Sequence, residues 1–369
     1  MNIDLSGPDI TQAEIDAVAE VLRSGRLSLG PKIEQFEQAL AAFVGTDHGI
    51  AVSSGTAALH LLMRAFNVGP GDEVISTPFS FIASTNCILF EQARPVLVDI
   101  DPHTWNIDPA RIEAAVTPRT KALIPVDVFG VCPDMDAIGR IAHRHGLRVI
   151  EDACEALGSR YKGRPAGSLG DAGCFGFYPN KQITTGEGGM ITTNDPDIAR
   201  LCRSMRNQGR DTGMAWLSHE RLGYNYRLSD VAAAIGLVQM QRIEEILAKR
   251  ARVADWYRKR LRDEPRISLQ KISDDCQMSW FVFVIKLADD YSEEDRANKI
   301  AQLRERGIGC SNYFAPIHLQ PFYQRDLGYK AGAFPICERV AARTIALPFH
   351  AGLTESQCDQ VCDTLKSIL

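Results

Sequence analysis

Between about Gly45 and Asn194 the chain alternates short apolar runs with amphipathic stretches, and this rhythm constrains its fold more than any other feature. Strands that pair in parallel need a long crossover, normally a helix, so a βαβα order predicts a mostly parallel sheet with helices on its faces. The candidate strands are Gly49 to Val52, Glu73 to Ser76, Pro95 to Val98, Ala122 to Val126, Arg148 to Glu151, Gly173 to Phe177 and Met190 to Thr193. Sheets of this kind bind ligands beyond the carboxyl ends of their strands. From Ser229, an expected N-cap, one long helix is predicted through Ile235, Val238, Ile243 and Leu247 towards Leu261, bridging two domains. Trp280 to Lys286 then reads as a strand, Arg296 to Arg306 as a helix and Thr354 to Leu369 as a closing amphipathic helix. The expected division is a large domain over residues 1–245 and a smaller α+β domain over residues 246–369, a split that suits 369 residues.

Composition narrows the function. Hydrophobic residues at 45% and charged residues at 24% are ordinary globular values, which argues against a disordered chain. The net charge of -5 is spread over interleaved acids and bases, so no basic face for nucleic acid is expected. No segment approaches the ~20 apolar residues of a membrane span. The start, Met1-Asn2-Ile3-Asp4-Leu5-Ser6-Gly7, lacks the basic and apolar regions of a signal peptide. The 10 cysteines include no CxxC pair and read as reduced thiols, which predicts a cytoplasmic protein without a metal site or disulfide framework. Cys358 and Cys362 share helical spacing but have no histidine nearby, and read as buried thiols.

Two acid- or lysine-terminated apolar runs carry the chemistry. Val149-Ile150-Glu151-Asp152 closes the first, and Phe177-Tyr178-Pro179-Asn180-Lys181 closes the second ahead of Gly186-Glu187-Gly188-Gly189. A lysine after a strand is ordinarily a solvated charge. An acid and a lysine in this arrangement, however, are what pyridoxal 5'-phosphate requires of a protein. The lysine holds the aldehyde as an imine, and the acid keeps the ring nitrogen protonated so that the ring can accept electrons. A lysine ammonium ordinarily titrates near ~10.4, so a lysine in this role must be desolvated or already linked. Ser53-Ser54-Gly55-Thr56-Ala57 joins a strand to a helix, where free N–H groups and the positive helix end suit a phosphate. Glycine turns before helices are also common without an anion.

Four segments occur together: Ser53-Ser54-Gly55-Thr56-Ala57-Ala58-Leu59; Glu151-Asp152-Ala153-Cys154-Glu155-Ala156-Leu157-Gly158; Tyr178-Pro179-Asn180-Lys181 with Thr185-Gly186-Glu187-Gly188-Gly189; and Gly223-Tyr224-Asn225-Tyr226-Arg227. In this order and spacing they closely resemble the sugar aminotransferases of the fold type I pyridoxal phosphate enzymes, the aspartate aminotransferase superfamily. The resemblance covers essentially the whole chain. It implies a large, mostly parallel α/β/α sheet domain with a smaller α+β C-terminal domain, Lys181 as the imine lysine and Asp152 as the partner of the ring nitrogen. Gly55 and Thr56 become phosphate ligands, and Phe81 falls where relatives stack an aromatic ring on the cofactor, although it also reads as an ordinary core phenylalanine. Asn225 resembles the residue that crosses from a neighbouring subunit to the cofactor phosphate, with Arg227 close by, which implies a homodimer with shared active sites. Tyr313 and His318 match positions near the sugar-nucleotide substrate.

Two positions depart from the pattern. Gly176 stands where many relatives carry a phosphate-binding serine, and Glu155 stands where many carry glutamine beside the cofactor's phenolic oxygen. A carboxylate there would repel a phenolate, so Glu155 is expected to be protonated or turned aside. The resulting expectation is a homodimeric aminotransferase that moves an amino group from an amino acid, glutamate by resemblance, to a nucleotide-linked keto-sugar by way of pyridoxamine phosphate. The alternatives are the same fold acting on a keto-cyclitol or an aromatising precursor, and a non-catalytic regulatory protein. Relatives that dehydrate sugars replace the lysine with histidine, and Lys181 argues against that branch.

Overall fold

A computed structural model describes every residue except Met1, Thr212, Met214, Trp216 and Leu217. Its strands in chain order are β1 His48–Val52, β2 Glu73–Ser76, β3 Arg94–Leu97, β4 Thr120–Leu123, β5 Arg148–Asp152, β6 Arg160–Tyr161, β7 Arg164–Pro165, β8 Ala172–Gly176, β9 Gly189–Thr193, β10 Ile267–Leu269, β11 Cys276–Gln277, β12 Phe283–Leu287 and β13 Thr344–Leu347. Its helices are α1 Gln12–Ser24, α2 Pro31–Val44, α3 Gly55–Ala65, α4 Ala83–Phe90, α5 Pro109–Ala115, α6 Met135–His145, α7 Pro196–Arg206, α8 Asp230–Gln241, α9 Ile243–Leu261, α10 Glu293–Glu305, α11 Pro321–Leu327, α12 Pro335–Ala341 and α13 Glu355–Ile368. Each of the seven expected strands is present, shifted at its ends by up to three residues.

Those strands form one seven-stranded sheet in the order β1-β9-β8-β5-β4-β2-β3. Five neighbours from β8 to β3 run parallel, while β9 is antiparallel to both β8 and β1. Period-two alternation splits each strand between two apolar layers. Ile50 and Ile150 face Leu59, Leu62 and Met63 of α3 and Met205 of α7. Ala51 and Val149 face Phe36 of α2, Ile138 of α6 and Ala233 of α8 on the other side. The same parity directs Asp152 towards α3 and Glu151 away from it, because they are adjacent residues of one strand.

The C-terminal segment builds a three-stranded sheet, β10-β12-β13, with Phe283, Ile285, Ile345 and Leu347 packed against Val253 and Tyr257 of α9 and Val361 and Leu365 of α13. Ile3 joins this core, and its N–H bonds the Gly307 carbonyl at 2.8 Å. The expected single helix from Ser229 is two. Ser229 does cap α8, its side chain accepting from the Ala232 N–H at 3.1 Å, but the run breaks at Arg242. There the guanidinium reaches Asp9 at 3.1 Å and Glu14 at 2.7 Å in the N-terminal segment, and Glu245 at 3.4 Å. All 10 cysteines are free. Among the described residues no helix is long and apolar enough to cross a membrane.

Candidate active site

The carboxyl rim of β5 and β8 borders a cavity of about 640 Å³ that also reaches Phe281 and the Asn312-Tyr313-Phe314 segment. Its floor is set by strand parity: Asp152 and Gly176 both point towards α3. Asp152 is 4% exposed, and its carboxylate is oriented from two sides. The Ser84 hydroxyl donates to Oδ2 at 2.7 Å, and the Cys154 backbone N–H donates to Oδ1 at 3.2 Å. Cys154 and Cys174 lie beside it with their sulfurs 3.8 Å apart.

Lys181 enters the same cavity. Its Nζ stands 3.6 Å from Glu155 Oε1 and 3.9 Å from the centroid of the Phe281 ring, where the aromatic face favours a cation. Glu155 is not turned aside. Its other oxygen accepts the Phe129 N–H at 2.9 Å, and burial pushes its carboxyl above the usual range, against the pull of Lys181. Tyr313 forms another wall, stacked on Phe314 with ring centroids 5.1 Å apart, and burial raises its phenol as well.

Opposite the lysine, Ser54 caps α3 by accepting the Ala57 N–H at 3.0 Å. This leaves the first N–H groups, those of Gly55 and Thr56, without intrahelical acceptors and facing the cavity. A side chain at residue 55 would not fit, since a Cβ there would lie 2.9 Å from Cys154 Sγ. Phe81, 61% exposed, stands on the cavity edge. A cavity with free helix N–H groups, a buried carboxylate, a lysine amine and an aromatic edge fits pyridoxal phosphate, with Gly55 and Thr56 able to hold its phosphate, Asp152 its ring nitrogen and Lys181 its aldehyde.

Three expected site residues lie elsewhere in the subunit. Asn225 is exposed and does not line its own cavity. Arg227 donates to Asn207 Oδ1 at 3.0 Å and lines a separate cavity of about 470 Å³ with Arg203 and Arg206. His318 is fully buried, 2.9 Å from Glu338 Oε1 and 4.7 Å in ring-centroid distance from Phe334, and burial holds its ring below the usual histidine range. Conversely, Ser84 and Phe281 act at the site without having been singled out from sequence. Ser84 lies three residues past Phe81 on the first turn of α4, a spacing that could have drawn notice. Phe281 has no local signal, since its role depends on a contact with Lys181 across 100 positions of chain.

Residues 8–366 match the DegT/DnrJ/EryC1/StrS aminotransferase family. The chain belongs to that family. It is 42% identical to GDP-perosamine synthase of Caulobacter vibrioides over 369 residues, covering 100% of this chain and 98% of the relative. It is 40% identical to the spore coat polysaccharide biosynthesis protein SpsC of Bacillus subtilis over 372 residues, covering 98% of this chain and 96% of that one. The pyridoxal phosphate form of Spr1654 from Streptococcus pneumoniae superposes with a TM-score of 0.95 at 31% identity, covering 100% and 98% of the two chains. The protein is therefore a fold type I aminotransferase, and pyridoxal phosphate is its cofactor.

Proposed function

We propose that this aminotransferase moves an amino group from an amino acid, glutamate by family expectation, to a nucleotide-linked keto-sugar through pyridoxamine phosphate. It would do so in the cytoplasm, as a homodimer whose active sites are shared. The observation that carries the reading is Lys181 Nζ held between Glu155 and Phe281 in the cavity that contains Asp152. The substrate class is supported by the full-length likeness to a GDP-perosamine synthase and to a polysaccharide biosynthesis protein.

Pyridoxal phosphate, when bound, supplies an aldehyde for the amino group and a ring that accepts electrons. The chain's own residues do the rest. Asp152, held by Ser84 and the Cys154 N–H, would fix the ring nitrogen and keep its proton. Gly55 and Thr56 would anchor the phosphate through backbone N–H groups. Lys181 Nζ, once freed by a donor amine, would take the proton from the donor's α-carbon and return one to the sugar carbon. Glu155, whose Oε1 lies 3.6 Å from Nζ, is beyond hydrogen-bond reach and would act on that proton through its charge. Tyr313 and Phe314 would exclude water from the side facing the sugar.

The test is the absorbance spectrum of the purified holoenzyme before and after glutamate, with Lys181→Ala alongside. The expected outcome is conversion to the amine form of the cofactor in the parent alone, reversed by a nucleotide-linked keto-sugar. A cofactor band that ignores every amino donor would overturn transamination. Reversal by a free keto-cyclitol but not by a nucleotide sugar would overturn the substrate class.

A further inference from the structure

The Tyr224–Arg227 segment is an extended strap, and its alternation separates two jobs. Val52 and Arg227 form an antiparallel bridge, the Ser53 N–H bonds the Tyr226 carbonyl at 2.8 Å, and the Tyr226 N–H bonds the Arg206 carbonyl at 3.0 Å. Tyr224 and Tyr226 therefore share one face of the strap, with rings stacked 4.9 Å apart and 9° from parallel, while Asn225 takes the other face. The tyrosine face rests on His60 of α3, whose ring centroid is 4.8 Å from Tyr224 and 5.8 Å from Tyr226.

His60 is 6% exposed and bonded at both nitrogens. Nε2 lies 2.7 Å from Glu91 Oε1, and Nδ1 lies 3.0 Å from the Tyr226 hydroxyl. A carboxylate only accepts, so Nε2 carries the proton, and in the neutral ring Nδ1 accepts from Tyr226. Arg64, one turn further along α3, donates to Glu91 Oε2 at 2.9 Å and holds the far end of the chain of bonds. The helix whose first turn cradles the phosphate is thus tied, through the side chain of its own His60, to the strap that carries Asn225.

We propose that His60 is a positioning residue that sets how Asn225 is presented to a cofactor phosphate, making the phosphate cradle of one site and the strap serving the adjacent site one rigid unit. This rests on the reading that Asn225 reaches the cofactor of a neighbouring subunit. Because His60 touches neither cofactor nor substrate, its effect passes through the strap tyrosines, by the bond to the Tyr226 hydroxyl and by its ring contacts with Tyr224 and Tyr226. Deleting that hydroxyl leaves the ring stack in place, whereas deleting the imidazole removes a buried partner of Glu91.

The experiment is titration of the apo-protein with pyridoxal phosphate, followed by fluorescence, for the parent, Tyr226→Phe, Asn225→Ala and the double variant, with thermal melting of each. Tyr226→Phe is expected to weaken cofactor affinity about fivefold, the scale of one hydrogen bond. Asn225→Ala should weaken it at least as much, and the double variant should lose little beyond Asn225→Ala, since both changes remove one contact. His60→Gln, which keeps a donor for Glu91 but loses the ring beneath Tyr224 and Tyr226, should weaken affinity at least as much as Tyr226→Phe. If Asn225→Ala weakens binding while Tyr226→Phe only lowers the melting temperature, the clamp is merely structural and the proposal fails. Strictly additive losses would overturn it as well. If Asn225→Ala leaves affinity unchanged, the reading of Asn225 fails first and takes the proposal with it.

Discussion

Glu155 is the residue whose surroundings change its chemistry most directly. It ionises above the usual carboxylate range because it is buried, and any charge it gains sits 3.6 Å from Lys181 Nζ. A negative charge there would favour a proton on the cofactor's imine linkage. In Glu155→Gln the pH midpoint of the bound-cofactor absorbance should fall by about 1 unit or more, the scale for an opposite charge at this separation. Superimposable titrations would show that Glu155 shares no charge with the lysine. Gly176 poses a second question at this scale. A Cβ there would meet Cys154 Sγ at 3.6 Å and Gly55 Cα at 3.9 Å, both ordinary contacts, so a serine fits. Gly176→Ser should tighten pyridoxal phosphate binding about fivefold by adding one hydrogen bond near the phosphate. Unchanged affinity would mean that the backbone of α3 already meets the need.

At the scale of elements, the site depends on how closely α8 packs on α2. A Cβ at Gly236 of α8 would lie 2.7 Å from Cζ of Phe36 and 2.8 Å from Cγ2 of Thr185. Thr185 belongs to the loop that follows Lys181, and its hydroxyl donates to the Glu187 carbonyl at 2.7 Å. Gly236→Ala should therefore cost about 1–3 kcal/mol by overpacking and shift the lysine loop. Calorimetry would show a lower melting temperature, and the cofactor spectrum would report the loop; an unaltered melting temperature would mean that Phe36 turns aside freely. The break between α8 and α9 belongs to this scale too. Apolar periodicity continues through Arg242, so no local signal marks the interruption. At the break the Arg242 side chain bonds the carboxylates of Asp9 and Glu14, more than 220 positions away in the chain.

At the scale of the whole molecule, the sheet separates two acids that are neighbours in sequence. Asp152 faces the cofactor cavity, while Glu151 lies beneath the sheet near Asp127. Glu151 accepts the Gly167 and Leu169 N–H groups at 2.7 and 2.8 Å, whereas Asp127 is fully buried with no donor to either oxygen. Burial and the neighbouring Glu151 raise Asp127 well above the usual range, and burial raises Glu151 from 4.5 to about 7. The folded state keeps protons that the unfolded chain has released, so stability should decline as pH rises from about 4.5 through 7 and above. Asp127→Asn, neutral at every pH, should reduce that decline and melt higher than the parent at alkaline pH. An identical pH–stability profile would show that Asp127 does not hold the proton. The sequence by itself determined the succession of the seven strands along the chain, the α/β class, the cap at Ser229 and the closing amphipathic helix, and it singled out Asp152 and Lys181. Each is written in a few adjacent residues, through alternating polarity, caps and glycine turns. Only the tertiary structure decided that Lys181 sits between Glu155 and Phe281, that α8 ends before Arg242, and that His318 is sealed against Glu338. Those outcomes depend on side chains brought together from distant positions, and local periodicity carries no record of such contacts.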